Sequence, residues 1–197
     1  MDNVLPKKLR LFVAIPVPEE ARMEMARVQK ELRPLVEAKD IRWVDPEQFH
    51  LTLKFLGNVA EDALETVKNS LGEACAGIRP FPLHAEGIGF FPNARSPRVI
   101  WTGIKATEAL ADLQNRVEKA LTSLVENEAT EDFHAHVTLG RFQKFRRHKT
   151  EKLIPHALSF GHRVFGDWQV NEVHLMQSIL SSSGARHTVL VSVRLDR

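Results

Sequence analysis

The sequence states one pattern twice. His50-Leu51-Thr52-Leu53 and His136-Val137-Thr138-Leu139 both spell His-x-Thr-Leu, and each follows a strand pattern and a helix pattern at similar spacing. Leu9 to Ile15 is a run of large and β-branched apolar residues closed by Pro16, which predicts a strand buried on both faces. A helix follows, with Pro18, Glu19 and Glu20 suited to its first turn, Ala21, Met25, Val28 and Leu32 at helical spacing, and Pro34 limiting its length. Ile41 to Val44 and Phe49 to Leu56 read as strands, the second stopped by Gly57 and Asn58. Glu61 to Cys75 reads as a helix with Ala63, Leu64, Val67 and Leu71 inward, and Phe81 to Phe91 as a strand. The pattern then restarts. Val99 to Ile104 is a strand, Glu108 to Glu126 a helix with Leu110, Leu113, Val117, Leu121 and Leu124 inward, and His136 to Phe142 the second His-x-Thr strand. A short helix near Glu151 and a hairpin of Trp168 to Leu180 with His187 to Leu195, turning at Ser181, Ser182, Ser183 and Gly184, close the chain. Such spacing marks a duplicated strand-helix-strand unit, starting near residues 9 and 97, whose helices connect neighbouring strands.

In a strand, side chains at i and i+2 share a face. His50 therefore points with Thr52 and His136 with Thr138, while Leu51, Leu53, Val137 and Leu139 turn to a core. If the halves pack about a pseudo-twofold axis, both pairs face one cleft. Cleaving a phosphodiester requires one group to take a proton from water and another to protonate the departing oxygen. Two imidazoles with unperturbed pKa near 6.5 can do both, and the threonine hydroxyls can hold the non-bridging oxygens in line. With nine His in the chain, one His-x-Thr is expected by chance roughly 0.4 times, so the second copy and its equivalent position carry the argument. The competing reading is a solvated sheet face decorated by His and Thr.

Composition narrows the class without choosing the chemistry. At 197 residues, with 43% hydrophobic and 26% charged residues, the chain has the balance of a globular protein and enough length for one large domain or two small lobes. Its single cysteine, Cys75, excludes an internal disulfide framework, gives no zinc cluster, and fits a reducing cytoplasm. The N-terminal apolar run is too short for a leader and reads as the first strand. No apolar stretch approaches the roughly 20 residues that span a bilayer. A formal net charge of +2 permits an anionic substrate without requiring one.

Several segments resemble the two-histidine phosphoesterases, and among them the RNA 2′,3′-cyclic phosphodiesterases of the LigT-like group, once named 2′-5′ RNA ligases. These are LRLFVAI at Leu9 to Ile15, Trp43 followed by FHLTLKFLG, GIGFFP with PRVIW ending at Trp101, and FHAHVTLGR ending at Arg141. The resemblance implies an α+β fold in which the two duplicated units form one two-lobed domain over residues 1–197, with antiparallel sheets facing a central cleft. It implies hydrolysis of RNA or oligonucleotide ends bearing a 2′,3′-cyclic phosphate, leaving the phosphate on the 2′ oxygen, without metal or cofactor. His50 would be the proton donor to the leaving 3′ oxygen and His136 the proton acceptor from water, with Thr52 and Thr138 gripping the phosphate. Arg141 would bind substrate, its planar guanidinium suiting a phosphate. Strict alternation sends Arg141 to the opposite face from His136, so a bulge at Gly140 is needed to turn it back. The chain departs from the family pattern in having Ala135 before the second His, where proline is common, and His187 in a C-terminal place where tyrosine is common.

Other residues have competing readings. His134 and His136, with His50, could form a three-histidine metal site, although the threonines would then have no task. His84, His148, His156, His162 and His174 lack motif context and read as surface or structural residues. The basic run Lys144, Arg146, Arg147, His148 and Lys149 suits an RNA backbone or a solvated loop. One or two of Phe55, Phe90, Phe91, Trp101 and Phe142 would stack on a terminal base, the rest being core. Lys54 shares the predicted face of His50 and Thr52 and would either line the cleft or stand as an ordinary exposed lysine of the sheet. Two alternative functions remain: ligation of RNA through a 2′-5′ bond by the reverse reaction, and a non-catalytic RNA-end binding module. A monomer is expected, since no heptad pattern or apolar surface helix calls for a partner.

Overall fold

A computed structural model describes residues 7–124, 133–143, 150–181 and 184–196. Its strands are β1 (Lys8–Pro16), β2 (Ile41–Trp43), β3 (His50–Ala60), β4 (Phe81–Phe91), β5 (Val99–Ile104), β6 (His136–Phe142), β7 (Val164–Val170), β8 (Glu172–Ser181) and β9 (Gly184–Arg194). They form one antiparallel sheet in the order β7-β4-β5-β6-β3-β1-β8-β9, with β2 added to β6. The α+β class and the duplication are as predicted. The two half-sheets meet in the middle, where β3 and β6 pair at Leu51 and Val137. Exchanging β3 with β6 also exchanges β1 with β5, β8 with β4 and β9 with β7, so the strand order itself carries the pseudo-twofold relation.

Helices cover one face of this sheet. The helix α1 (Glu19–Leu32) leads from β1 toward β3, yet it lies against β7 and α4 (Leu153–Leu158). Conversely, α3 (Glu108–Leu121) joins β5 to β6 and lies against β3 and α2 (Leu64–Cys75), which also touches β8 and β9. Each half therefore rests on the helix that connects the strands of the other. The packing follows from the apolar stripes: Ala21, Met25, Val28 and Leu32 of α1, and Leu110, Leu113, Val117 and Leu121 of α3, are all buried. Each large member stabilises the fold by about 1.5–3 kcal/mol. The Thr107 hydroxyl accepts a hydrogen bond from the Leu110 backbone N–H at 3.2 Å and starts α3, a cap worth about 1 kcal/mol.

β1 shows how the sheet separates core from cleft. Leu9, Leu11, Val13 and Ile15 enter the core beneath the helices, while Arg10, Phe12 and Ala14 alternate to the face of His50, where Phe12 and Ala14 are themselves buried, so beyond Arg10 the strand is covered on both faces as predicted. Several predicted boundaries shift. β3 does not stop at Gly57 but runs to Ala60, because Gly57 adopts φ +66°, a conformation open to glycine, and the pairing with β1 slips there by one residue. The helix expected from Glu61 begins as a 3-10 turn, Glu61–Ala63, before α2. Trp168 belongs not to the closing hairpin but to β7, which pairs with β4 in the other half-sheet; the hairpin is β8 with β9. Residues 125–126 of the predicted long helix, the basic run at 144–149 and turn residues Ser182 and Ser183 lie outside the described residues.

Candidate active site

The pair Leu51 and Val137 sends its side chains into the core, so the residues beside them, His50 and Thr52 on β3 and His136 and Thr138 on β6, face the open side where the half-sheets join. All four are partly exposed. Each imidazole is held in the same way. His50 Nδ1 lies 2.7 Å from the Gln48 carbonyl and His136 Nδ1 lies 2.6 Å from the His134 carbonyl, two residues back in both cases. A carbonyl only accepts, so Nδ1 carries the proton and donates it, and Nε2 keeps its lone pair. Aromatic rings brace both: Phe12 lies 4.9 Å from His50 between ring centres, Phe91 lies 4.8 Å from His136, and Trp101 lies 6.2 Å from it. His187 of β9 meets His50 edge-on at 5.2 Å, and its backbone N–H donates to Gln48 Oε1 at 2.7 Å.

Both strands carry a bulge three residues after the histidine. Val13 faces Lys54 and Ala14 faces Thr52, so Leu53 is an extra residue in β3. Ile100 faces Gly140 and Trp101 faces Thr138, so Leu139 is an extra residue in β6. A bulge resets the alternation. Leu139 and Gly140 are both buried, and Arg141 returns to the exposed side, the open face of His136. Gly140 is required for close packing, since a Cβ there would stand 3.0 Å from side-chain atoms of Ile41 and Trp43. On β3 the same reset corrects the expectation for Lys54: it is buried and paired with Glu118 of α3 beneath the sheet, and does not line the cleft. Phe55 takes the position equivalent to Arg141 and is 58% exposed, with its ring 5.9 Å from that of Phe12.

Burial pulls the His50 imidazole down to about 4; the bond to Gln48 opposes this, while the charges of His187, Arg141 and His136 add to it. His136 is likewise lowered by burial, against the bond to His134, with Arg141 and His134 contributing. His187 is lowered by burial and by the positive charges of Arg141 and Arg10. Arg141 thus acts electrostatically on all three histidines. A cleft with cationic groups and partly desolvated imidazoles favours an anion, which would restore a proton to one ring. Among the described residues, no three His, Cys, Asp or Glu side chains converge so as to hold a metal ion, and this includes His50, His134 and His136.

The LigT-like phosphoesterase family pattern matches residues 15–101 and 104–187, which include both histidines, both threonines and Arg141. The chain belongs to this family. It is 35% identical over 176 residues, 89% of this chain and 94% of the relative, to a protein of Archaeoglobus fulgidus named RNA 2′,3′-cyclic phosphodiesterase. A Methanothermobacter thermautotrophicus protein of the same name is 32% identical over 189 residues, 95% of this chain and all of the relative. Among solved structures, a protein of Thermus thermophilus superimposes with a TM-score of 0.79 at 29% identity, covering 95% of this chain and 98% of that one. LigT from E. coli, solved with 3′-AMP, shares the fold with a TM-score of 0.78 at 23% identity over 97% of this chain and 100% of that one.

Sequence reasoning missed three residues of the LigT-like cleft. Phe12 and Arg10 were legible only through the alternation Arg10-Phe12-Ala14 within an otherwise apolar strand. Gln48 carries no motif signal; its carbonyl and amide tie His50 to His187. The histidines read as structural behave so where described: His84 pairs with Asp167 and Glu86, and His174 with Glu172.

Proposed function

We propose that this protein hydrolyses 2′,3′-cyclic phosphates at RNA or oligonucleotide ends to 2′-phosphomonoesters by two-histidine acid-base catalysis without a metal. The observation that carries this reading is the matched pair of imidazoles, each held through Nδ1 by the backbone carbonyl two residues back, which leaves Nε2 of each as the nitrogen that can exchange a proton. The names of the relatives above support the substrate class, an RNA 2′,3′-cyclic phosphodiester. Water attacks phosphorus in line with the P–O3′ bond. His136 Nε2 takes the proton from the water, and protonated His50 Nε2 gives a proton to the departing O3′, leaving the phosphate on O2′. The Thr52 and Thr138 hydroxyls and the Arg141 guanidinium bind the non-bridging oxygens. We assign the whole chain to a single two-lobed domain working as a monomer in the cytoplasm.

The test is turnover of an oligoribonucleotide ending in a 2′,3′-cyclic phosphate, in excess chelator, with the product phosphate located by NMR. A 2′-phosphate formed at an undiminished rate is expected. A 3′-phosphate product, or activity abolished by the chelator, overturns the mechanism.

Burial sorts the aromatic candidates for a terminal base. Phe90 is buried, and Phe142 is half-buried with its ring 6.3 Å from that of Phe90. Phe91 and Trp101 brace His136. Phe55, exposed on the cleft side of β3, is left as the stacking platform. Phe55→Ala should weaken binding of base-bearing substrate by about 5- to 100-fold. Inorganic phosphate should bind the variant as it binds wild type, and isothermal titration of both ligands separates the two effects.

A further inference from the structure

We infer that Gln29 is a positioning residue for Arg141: its buried carboxamide holds the Leu139 bulge that turns the guanidinium onto the histidine face. This rests on the proposed reading, in which Arg141 grips the phosphate. Gln29 lies within the apolar stripe of α1, between Met25 and Leu32, and is 2% exposed. A buried carboxamide is costly unless its donors and acceptor are used. Here both donors go to the backbone at the bulge, and the acceptor serves Arg33. Gln29 Nε2 donates to the Leu139 carbonyl at 2.9 Å and to the Val44 carbonyl at 2.7 Å, and Oε1 accepts from Arg33 Nη2 at 3.0 Å. Val44 N–H also donates to the Leu139 carbonyl, at 2.9 Å.

Leu139 is the extra residue of β6, so Gln29 and Val44 clamp the bulge itself. Without that clamp the local alternative is a regular strand, in which Arg141 would point away from His136. The β3 bulge has its own polar anchor from the exchanged helix. Lys54, next to the extra Leu53, pairs with Glu118 of α3 and reaches the Thr122 hydroxyl at 3.4 Å. Two bulges anchored from below by polar groups, on helices related by the pseudo-twofold, are hard to account for as two separate packing accidents. The hydrogen bonds of Gln29 end on Leu139, Val44 and Arg33, so it acts on Arg141 through the strand above it.

The experiment compares wild type, Gln29→Met, Arg141→Ala and the double variant. Inorganic phosphate is titrated into each, read by the imidazole C–H signals of His50 and His136, with turnover and thermal melting measured in parallel. Gln29→Met should weaken phosphate binding by about 5- to 50-fold when Arg141 is present, and by less than about twofold in the Arg141→Ala background. Gln29→Glu keeps the size and the acceptor for Arg33 but offers no donor, and should show the same dependence on Arg141 should the Met variant fail to fold. Unchanged phosphate affinity in a folded variant overturns the inference, as does an equal loss in both backgrounds, which is the signature of a merely structural role. If wild type fails to turn over cyclic ends while the Arg141-dependent phosphate effect persists, the proposed reaction falls and the positioning role of Gln29 stands.

Discussion

His50→Ala and His136→Ala should each lower turnover of a 2′,3′-cyclic oligoribonucleotide by about 10²–10⁴ while leaving the fold intact. Both rings are partly exposed at the cleft, and neither is part of the buried core. Initial rates and melting curves on the same preparations check this; retention of activity within tenfold of wild type in either variant removes that histidine from the mechanism. The pH dependence sharpens the expectation. With His50 drawn down to about 4 and His136 also lowered, both are neutral near pH 7 in the free protein, although the acid must be protonated to act. The quantity kcat/KM reports the free enzyme, so it should fall as pH rises through the acid range, at a pKa below the ordinary 6.5. In the complex the phosphodiester's negative charge favours the imidazolium, so kcat should hold to higher pH and binding near pH 7 should take up a proton.

Arg141→Ala should cost about 10²–10³ in kcat, the loss typical of removing one donor aimed at developing negative charge. Arg141→Lys should recover only part of it, because an ammonium cannot make the two parallel hydrogen bonds of a guanidinium. Removing the charge should also raise the pKa of His50, His136 and His187 together, since it depresses all three. NMR titration of the imidazoles in wild type and variant reads this directly. Histidine pKa values that do not move would place the guanidinium away from the cleft.

The histidines and threonines of the cleft are legible in the sequence because they depend on a local rule. Strand periodicity puts His50 with Thr52 and His136 with Thr138, and the repeat brings the two strands into equivalent places, which the β3 to β6 pairing at Leu51 and Val137 then joins. What lies beyond the rule is whatever follows a bulge. An extra residue is a property of pairing with a neighbouring strand, and Leu53 and Leu139 look in the sequence like ordinary members of an alternating run. Hence alternation sends Lys54 to the wrong face, leaves Phe55 undistinguished among five aromatics, and gives Arg141 a bulge only where the family resemblance demands one. β7 escapes the sequence for a related reason. Its residues, VFGDWQV, have little apolar alternation, and its existence depends on β4, some eighty residues earlier in the chain. A polar residue within a helix's apolar stripe, as Gln29 is, is a readable sign of buried hydrogen bonding that a count of apolar positions passes over.

The exchanged helices bear on how the chain reaches this form. Because α1 lies against β7 and α3 lies against β3, neither connecting helix packs chiefly on the strands that it joins. A newly made first segment, lacking α3, β8 and β9, would leave β3 without the helix it packs against and β1 without one of its neighbouring strands until the second arrives. Contacts between distant parts of the chain must therefore form before either hydrophobic layer is closed, a topology that slows folding and makes assembly of the two histidine strands one event rather than two.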